Sequence, residues 1–188
     1  MGLDITAYSN LKFSENQDPD DYDNIRIWKN SSFPDHCELE EGSYEETIDT
    51  RGHQFRAGSY SGYNTFRNVL AQCTLGVKAD RVWEDVDNYA YKPFFNLINF
   101  SDCEGIIGPK YSAELYRDFV DNRDRFIRNL KQEIDFTKET ENPLALEPEF
   151  ILDDFNINDM DIQYYIEQYD NWTLAFELAK DHGIVQFH

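Results

Sequence analysis

The sequence predicts one α+β domain: a small, mostly antiparallel sheet packed against two long helices and one short helix. Three observations predict it. The opening residues alternate apolar and polar with a period of two, as a half-buried strand does. Two later segments repeat apolar residues at helical spacing over several turns. After Gly183 the chain runs Ile-Val-Gln-Phe-His, a short β-branched and aromatic stretch suited to a last strand. Strands first, long helices later and a returning strand form the pattern of segregated sheet and helix layers. A chain of 188 residues is long enough for one core and short for two, so 1–188 is read as a single domain.

The elements follow in order. Leu3, Ile5 and Ala7 set the inward face of a first strand. The acid-rich stretch 15–24 with its Asp-Pro pair is a loop, and 24–28 alternates again as a second strand. Residues 31–43, with Pro34 and Gly42, are irregular. A third strand at 54–57 enters a turn at Gly58-Ser59-Tyr60-Ser61-Gly62-Tyr63-Asn64. A short helix follows, with Phe66, Val69, Leu70 and Cys73 on one face, Asn64 as N-cap and Gly76 as stop. Residues 82–91 show no decisive period, and 93–100 fits either a short helix or a buried strand. Ser112 caps the first long helix, whose stripe is Leu115, Phe119, Phe126, Leu130 and Ile134 and which runs to about Glu139. Beyond a linker between Pro143 and Pro148, Asn158 or Asp159 caps the second. Its stripe is Ile162, Tyr165, Ile166, Tyr169, Trp172 and Phe176, and Gly183 ends it.

Composition narrows the function classes. Aromatics make up 15% of the chain, which sets it apart from disordered acidic sequences. No apolar run reaches the length of a membrane span, and the N-terminus lacks the charged and apolar regions of a secretory signal. The three cysteines, Cys37, Cys73 and Cys103, are odd in number and contain no CxxC pair, which predicts a reducing compartment, the cytoplasm. The net charge is −20. It is regional: 23 of the 37 acids lie in three base-free blocks, between Lys12 and Arg26, between Lys29 and Arg51, and from Glu139 to Ala179. The remainder is close to neutral. We therefore expect acidic loop insertions at about 13–50 and an acidic linker and helix at about 139–177. Direct binding to DNA or RNA is disfavoured, because phosphate contacts need clustered lysine and arginine. The plain reading of the blocks is solvated surface. The functional one is an acidic face for a basic partner.

Two polar segments are candidate sites. At 58–64 two glycines and four hydroxyls precede a helix start, with Arg67 one turn further on. This is not a P-loop, since it lacks the GxxxxGK[ST] spacing. At 99–105, Asn-Phe-Ser-Asp-Cys-Glu-Gly follows an apolar run. Asp102 and Glu104 have the chemistry of an acid and base pair or of oxygen ligands. Tyr60, Ser61, Tyr63, Asn64, Arg67, Asp102 and Glu104 are the candidate ligand-binding set, while the plain and favoured reading of each segment is a capped turn. Cys103 would need a histidine nearby to serve as a nucleophile, with His53 and His188 as partners to test. His36-Cys37 lacks the second paired cluster of a zinc site. Asp154-Phe-Asn156-Ile-Asn158 imitates a calcium loop, but Asp159 and Tyr165 stand where glycine and glutamate are required. No metal or cofactor motif is present, so neither is expected.

MGLDITAY at 1–8, GSYSGYN at 58–64, LINFSDCEGIIGP at 97–109 and the closing VQFH resemble a group of uncharacterised bacterial and phage proteins. The resemblance touches both ends and the middle and leaves out the acidic stretches. It implies a microbial or viral accessory protein whose 58–64 and 99–105 segments belong to a shared scaffold. It implies no activity. The sequence thus leads to a non-enzymatic acidic interaction protein, one form of which is an inhibitor imitating nucleic-acid charge. The competing reading is an enzyme or small-ligand-binding domain using the two polar segments.

Overall fold

A computed structural model describes residues 2–18, 24–139 and 159–188, with the backbone alone at 132–139 and 159–160. The chain runs β1 (Gly2–Tyr8), β2 (Lys12–Phe13), β3 (Ile25–Ile27), a 3-10 turn (Pro34–His36), β4 (Gly42–Glu45), β5 (Gly52–Ser59), α1 (Tyr60–Leu75), α2 (Ala79–Glu84), α3 (Val86–Tyr89), α4 (Phe95–Ile98), β6 (Gly105–Ile107), α5 (Pro109–Glu139), α6 (Asp159–Ala179) and β7 (Ile184–Phe187). The mixed α+β class predicted by the patterning is the one observed.

The main sheet is antiparallel in the order β5-β1-β7-β6, and a smaller antiparallel sheet is ordered β2-β4-β3. Because strand side chains alternate faces, consecutive residues of β6 and β7 enter different cores. Ile107, Val185 and Phe187 face the helices, while Ile106 and Ile184 face the small sheet. The molecule is therefore layered as helices, main sheet and small sheet. The small sheet covers Ile106 and Ile184 with Leu11, Ile27, Cys37 and Tyr44.

On the helical side the core centres on Trp172 of α6. Its ring lies within 5.1–6.4 Å of the rings of Phe55, Tyr63, Phe66, Phe176 and Phe187. Of these, Tyr63, Phe66, Phe176, Phe187 and Trp172 itself are fully buried, each such side chain contributing roughly 1.5–3 kcal/mol, while Phe55 is partly buried at the core's edge. Polar bonds lock the helices in register. Asn129 Nδ2 of α5 donates to Cys73 O at 2.8 Å and Arg125 Nη1 to Thr74 O at 3.2 Å, answering carbonyls at the end of α1. Arg123 forms a two-pronged pair with Asp170 of α6, both contacts at 3.1 Å. The outer edge of β5 is covered by α6: Gln168 Nε2 donates to Arg56 O at 3.2 Å, and His53 meets Asn171 Oδ1 at 3.1 Å.

Several boundaries differ from expectation. The segment 58–64 is no free-standing turn. β5 passes directly into α1, whose N-cap is Ser59, with Oγ accepting from Gly62 N at 3.0 Å; Asn64 lies inside the helix. Gly76 does end α1, in the left-handed conformation (φ 75°). α5 begins at Pro109, ahead of Ser112, and the Glu38 carboxylate accepts from Lys110 N at 2.5 Å at its first turn. Residues 95–98 settle the short apolar run as helix. The strand expected at 24–28 is β3 (Ile25–Ile27), but the rest of the 13–50 stretch, expected as loop, also contributes to the small sheet through β2 and β4, which at two and four residues are too short for periodicity to detect. The Pro143–Pro148 linker, the Asn158 cap, the 154–158 calcium-like stretch and the side chain of Ile134 lie outside the described residues.

Gly183 has a different role from the one expected. The left-handed residue after α6 is His182 (φ 50°). Gly183 is required by space, because a Cβ there would sit 1.7 Å from Tyr8 O. Gly183→Ala forces β7 away from β1 and is expected to cost about 3 kcal/mol, the upper range for overpacking. Urea denaturation of the two proteins would measure it, with an unchanged midpoint contradicting the account.

Candidate functional site

The two polar segments meet. Arg67, on α1, reaches across to the loop that follows α4. Its Nη1 donates to Ile98 O at 2.9 Å and Phe100 O at 2.7 Å, and its Nη2 donates to Asn64 Oδ1 and lies 3.8 Å from Asp102 Oδ2. Asn64 Nδ2 donates to Asp102 Oδ2 at 3.3 Å. The guanidinium lies over the rings of Tyr63 and Trp83, at 4.8 and 5.1 Å from their centroids. Trp83 Nε1 adds a further bond to Ile98 O at 2.9 Å, and Tyr63 OH donates to Leu97 O at 3.4 Å. Only 5% of Arg67 is exposed, so its charge is neutralised by internal carbonyls, Asp102 and two ring faces. Its Nε has no hydrogen-bond partner among the described residues.

Of the seven candidate residues, Asn64, Arg67 and Asp102 thus form one cluster. Tyr63 is wholly buried, and burial raises its hydroxyl pKa far above the ordinary value. Tyr60 packs at the rim of the main core. Ser61 Oγ is 3.0 Å from the capping Ser59 Oγ. Glu104 is exposed and joins through its backbone, its N accepted by Ser101 Oγ at 3.2 Å and its O accepting from Asn30 Nδ2 at 3.0 Å. What this geometry performs is the tethering of the 98–104 loop to α1.

The histidines are engaged elsewhere. Cys103 Sγ is exposed with Ser101 Oγ at 3.6 Å, whereas His53 meets Asn171 and His188 Nε2 meets Thr6 Oγ1 at 3.1 Å. His36 is an aromatic wall, stacked on Tyr111 at 4.7 Å and packed against Phe100 at 5.1 Å. Burial lowers its pKa, against the raising effect of Asp35, so it stays neutral at pH 7. Cys37 is buried and its thiol is pushed up to about 11 by desolvation, which leaves it unreactive as a nucleophile. Among the described residues no group of three or more His, Cys, Asp or Glu side chains is arranged to hold a metal ion.

A groove of about 380 Å³ that sequence reasoning missed lies between residues 90–96 and α5. Glu114, Asp118 and Asp121 line it with Lys92, Arg117 and Tyr91. Asp118 Oδ2 accepts from Phe94 N at 2.8 Å, holding Phe94 in a left-handed conformation (φ 64°) while its ring packs on Phe119. Burial pushes the Asp118 carboxyl up to about 6, with Glu114 and Asp121 raising it further and the Phe94 N–H and Arg117 opposing. The available signal was the spacing 114, 118, 121, which sets three acids on one helix face.

The described parts of the acidic blocks fall on two sides of the main sheet. Those of the first and second are folded together through the small sheet. Ser14 N donates to Ser43 O at 2.9 Å, Gln17 exchanges bonds with Ser43 in both directions, and Lys29 N donates to Glu41 Oε1 at 2.8 Å. Glu15, Asp18, Asp35, Glu38, Glu40, Glu41, Glu46 and Asp49 are exposed there. The described part of the third block is α6, on the opposite face of the main sheet, and one of its acids, Asp170, is paired with Arg123. No helix among the described residues is long and apolar enough to cross a membrane. Comparison with known proteins adds no identity: no family model, curated protein or solved structure matches the chain.

Arg67→Met would strand the Phe100 carbonyl, leave Ile98 O to Trp83 Nε1 alone and remove the partner of the Asp102 charge, and we expect a loss of about 3 kcal/mol, with Arg67→Lys recovering less than half because a single ammonium cannot reproduce the fork. Chemical denaturation of both variants decides it. For Asp118 the folded pKa is raised from 3.8 to about 6, so its contribution favours folding at low pH and is lost as pH rises through about 6. Asp118→Asn keeps an acceptor for Phe94 N–H and removes that titration. The variant should gain on the parent between about pH 4 and pH 7 and show no gain below, read from denaturation midpoints across that range.

Proposed function

We propose that the chain is a non-enzymatic interaction protein whose acidic small-sheet lobe engages a basic protein surface, with a nucleic-acid-binding protein as the partner class and charge imitation as the mechanism. One observation carries this reading: two of the three base-free blocks are cross-bonded into one lobe, with eight exposed acids beside four exposed bases, Lys12, Arg26, Lys29 and Arg51, among the described residues. A surface of one sign in a small volume accelerates encounter with the opposite sign and suppresses binding to phosphates. The ligand-site reading of 58–67 and 99–105 has less support, because Arg67 and Asn64 are occupied by internal partners.

The test is a tagged pull-down at about 50 and about 500 mM salt, with the parent and with Glu40→Gln, Glu41→Gln, Glu46→Gln and Asp49→Asn combined. Exposed charges are screened within a few ångströms at the higher salt. The expected result is a stoichiometric basic partner held by the parent at low salt, released at high salt and not held by the neutralised variant. Absence of a partner, or equal retention by both, overturns the reading.

A further inference from the structure

The turn at 47–50 stands apart from the rest of the acidic lobe. Ile48 at its tip is 100% exposed. It lies between exposed Glu46 and exposed Asp49. An isolated exposed apolar side chain is ordinary in itself. What separates Ile48 is the rigidity beneath it. Thr50 N donates to Thr47 O at 3.1 Å, and Thr50 Oγ1 accepts from Thr47 N at 2.7 Å. The hydroxyls of Thr47 and Thr50 both donate to Asn10 O, at 3.2 and 3.1 Å, and Asn10 Nδ2 returns a bond to Asp49 O at 3.2 Å. Asp49 N donates to Thr47 Oγ1 at 3.2 Å, and Ser9 and Arg51 are joined by Ser9 N to Arg51 O at 2.9 Å and Arg51 N to Ser9 Oγ at 3.1 Å. Asn10 is itself fixed to the main body by its N–H on Asp181 O at 2.7 Å.

A turn tip ordinarily carries glycine, asparagine, aspartate, proline or serine. Here a stiff β-branched residue is held in water on a many-bonded frame, where it adds nothing to folding. Binding is limited by the ordering of side chains and loops, and a turn already fixed avoids that cost. The strongest positions in protein interfaces are central apolar anchors in desolvated sockets, ringed by weaker polar contacts. We propose that the 47–50 turn is a preset anchor: Ile48 enters a small apolar socket on a basic protein, with Glu46 and Asp49 meeting lysines or arginines at its rim. The proposal rests on the acidic-interaction reading and narrows it to one contact point.

The experiment uses the full chain carrying a photo-cross-linking benzoylphenylalanine at position 48, with the same residue at the equally solvent-facing Tyr91 position as control. After irradiation in lysate, the cross-linked site on the captured protein is mapped, and that protein is purified for affinity measurement. The expected result is a cross-link from position 48 and not from 91, on a residue neighboured by lysine or arginine. Ile48→Asp should then bind about thirtyfold more weakly, the size of a hot-spot truncation, with an unchanged thermal midpoint because Ile48 touches nothing. No cross-link, one equal to that from position 91, or one to a second copy of this chain overturns the anchor. So does a partner bound equally by Ile48→Asp. In that last case, weakened binding by the neutralised lobe variant leaves the acidic reading standing, and unchanged binding removes both.

Discussion

Strands β6 and β7 are buried on both faces, and that constraint organises the molecule. A strand with one wet face needs a single apolar layer against it. Ile106 and Ile184, pointing away from the helices, need a second. The chain meets the demand with the segment richest in acids. Residues 11–18 and 24–45 build a lobe around a short three-stranded sheet, with Leu11, Ile27, Cys37 and Tyr44 on its inner side and exposed acids on its outside. The acidic lobe is therefore a structural cover as well as a surface. Like charges crowd its outside, which costs stability, while apolar burial and the Ser14, Gln17 and Ser43 bonds hold it closed.

The same economy appears at Arg67. An arginine beside hydroxyls, an amide and two carboxylates has the composition of a binding site. The fold places it where α4 ends and its carbonyls lack helical partners, and the guanidinium supplies them. The aromatic faces of Tyr63 and Trp83 complete its surroundings in place of water. Asp118 does related work on the other side of α4, where its carboxylate holds Phe94 in a conformation that the backbone alone disfavours. Two charged groups thus fix the ends of one irregular segment.

What could be read from the residues follows from the range over which each signal acts. The stripes through Phe119 and Phe126, and through Tyr169, Trp172 and Phe176, span several turns, and both long helices stand where periodicity puts them. The start of α1 was misread because Gly58 and Gly62 are turn residues by composition, whereas β5 enters the helix with no loop between. β6 is three residues long and recognisable only through its pairing with β7. The nearness of 58–67 and 99–105 was legible as an expectation of shared chemistry. Their mutual satisfaction was not, because a polar group engaged internally looks the same in sequence as one awaiting a ligand. The rigidity of the Ile48 turn depends on Asn10, 38 positions away in the chain.

The strand order has a temporal side. β1, the second strand of the main sheet, leaves the ribosome well before β7, its inner neighbour. β6 joins that sheet only through β7, and the Trp172 ring arrives on α6 shortly before it. Until α6 and β7 emerge, the β1–β5 pair, the small sheet and the earlier helices can form, while Leu3, Ile5 and Ala7 lack the part of their cover that α6 supplies. Contacts this distant in sequence close slowly, so the nascent chain carries an unfinished sheet until residues 184–187 emerge. Its high negative charge keeps neighbouring nascent copies apart over that interval.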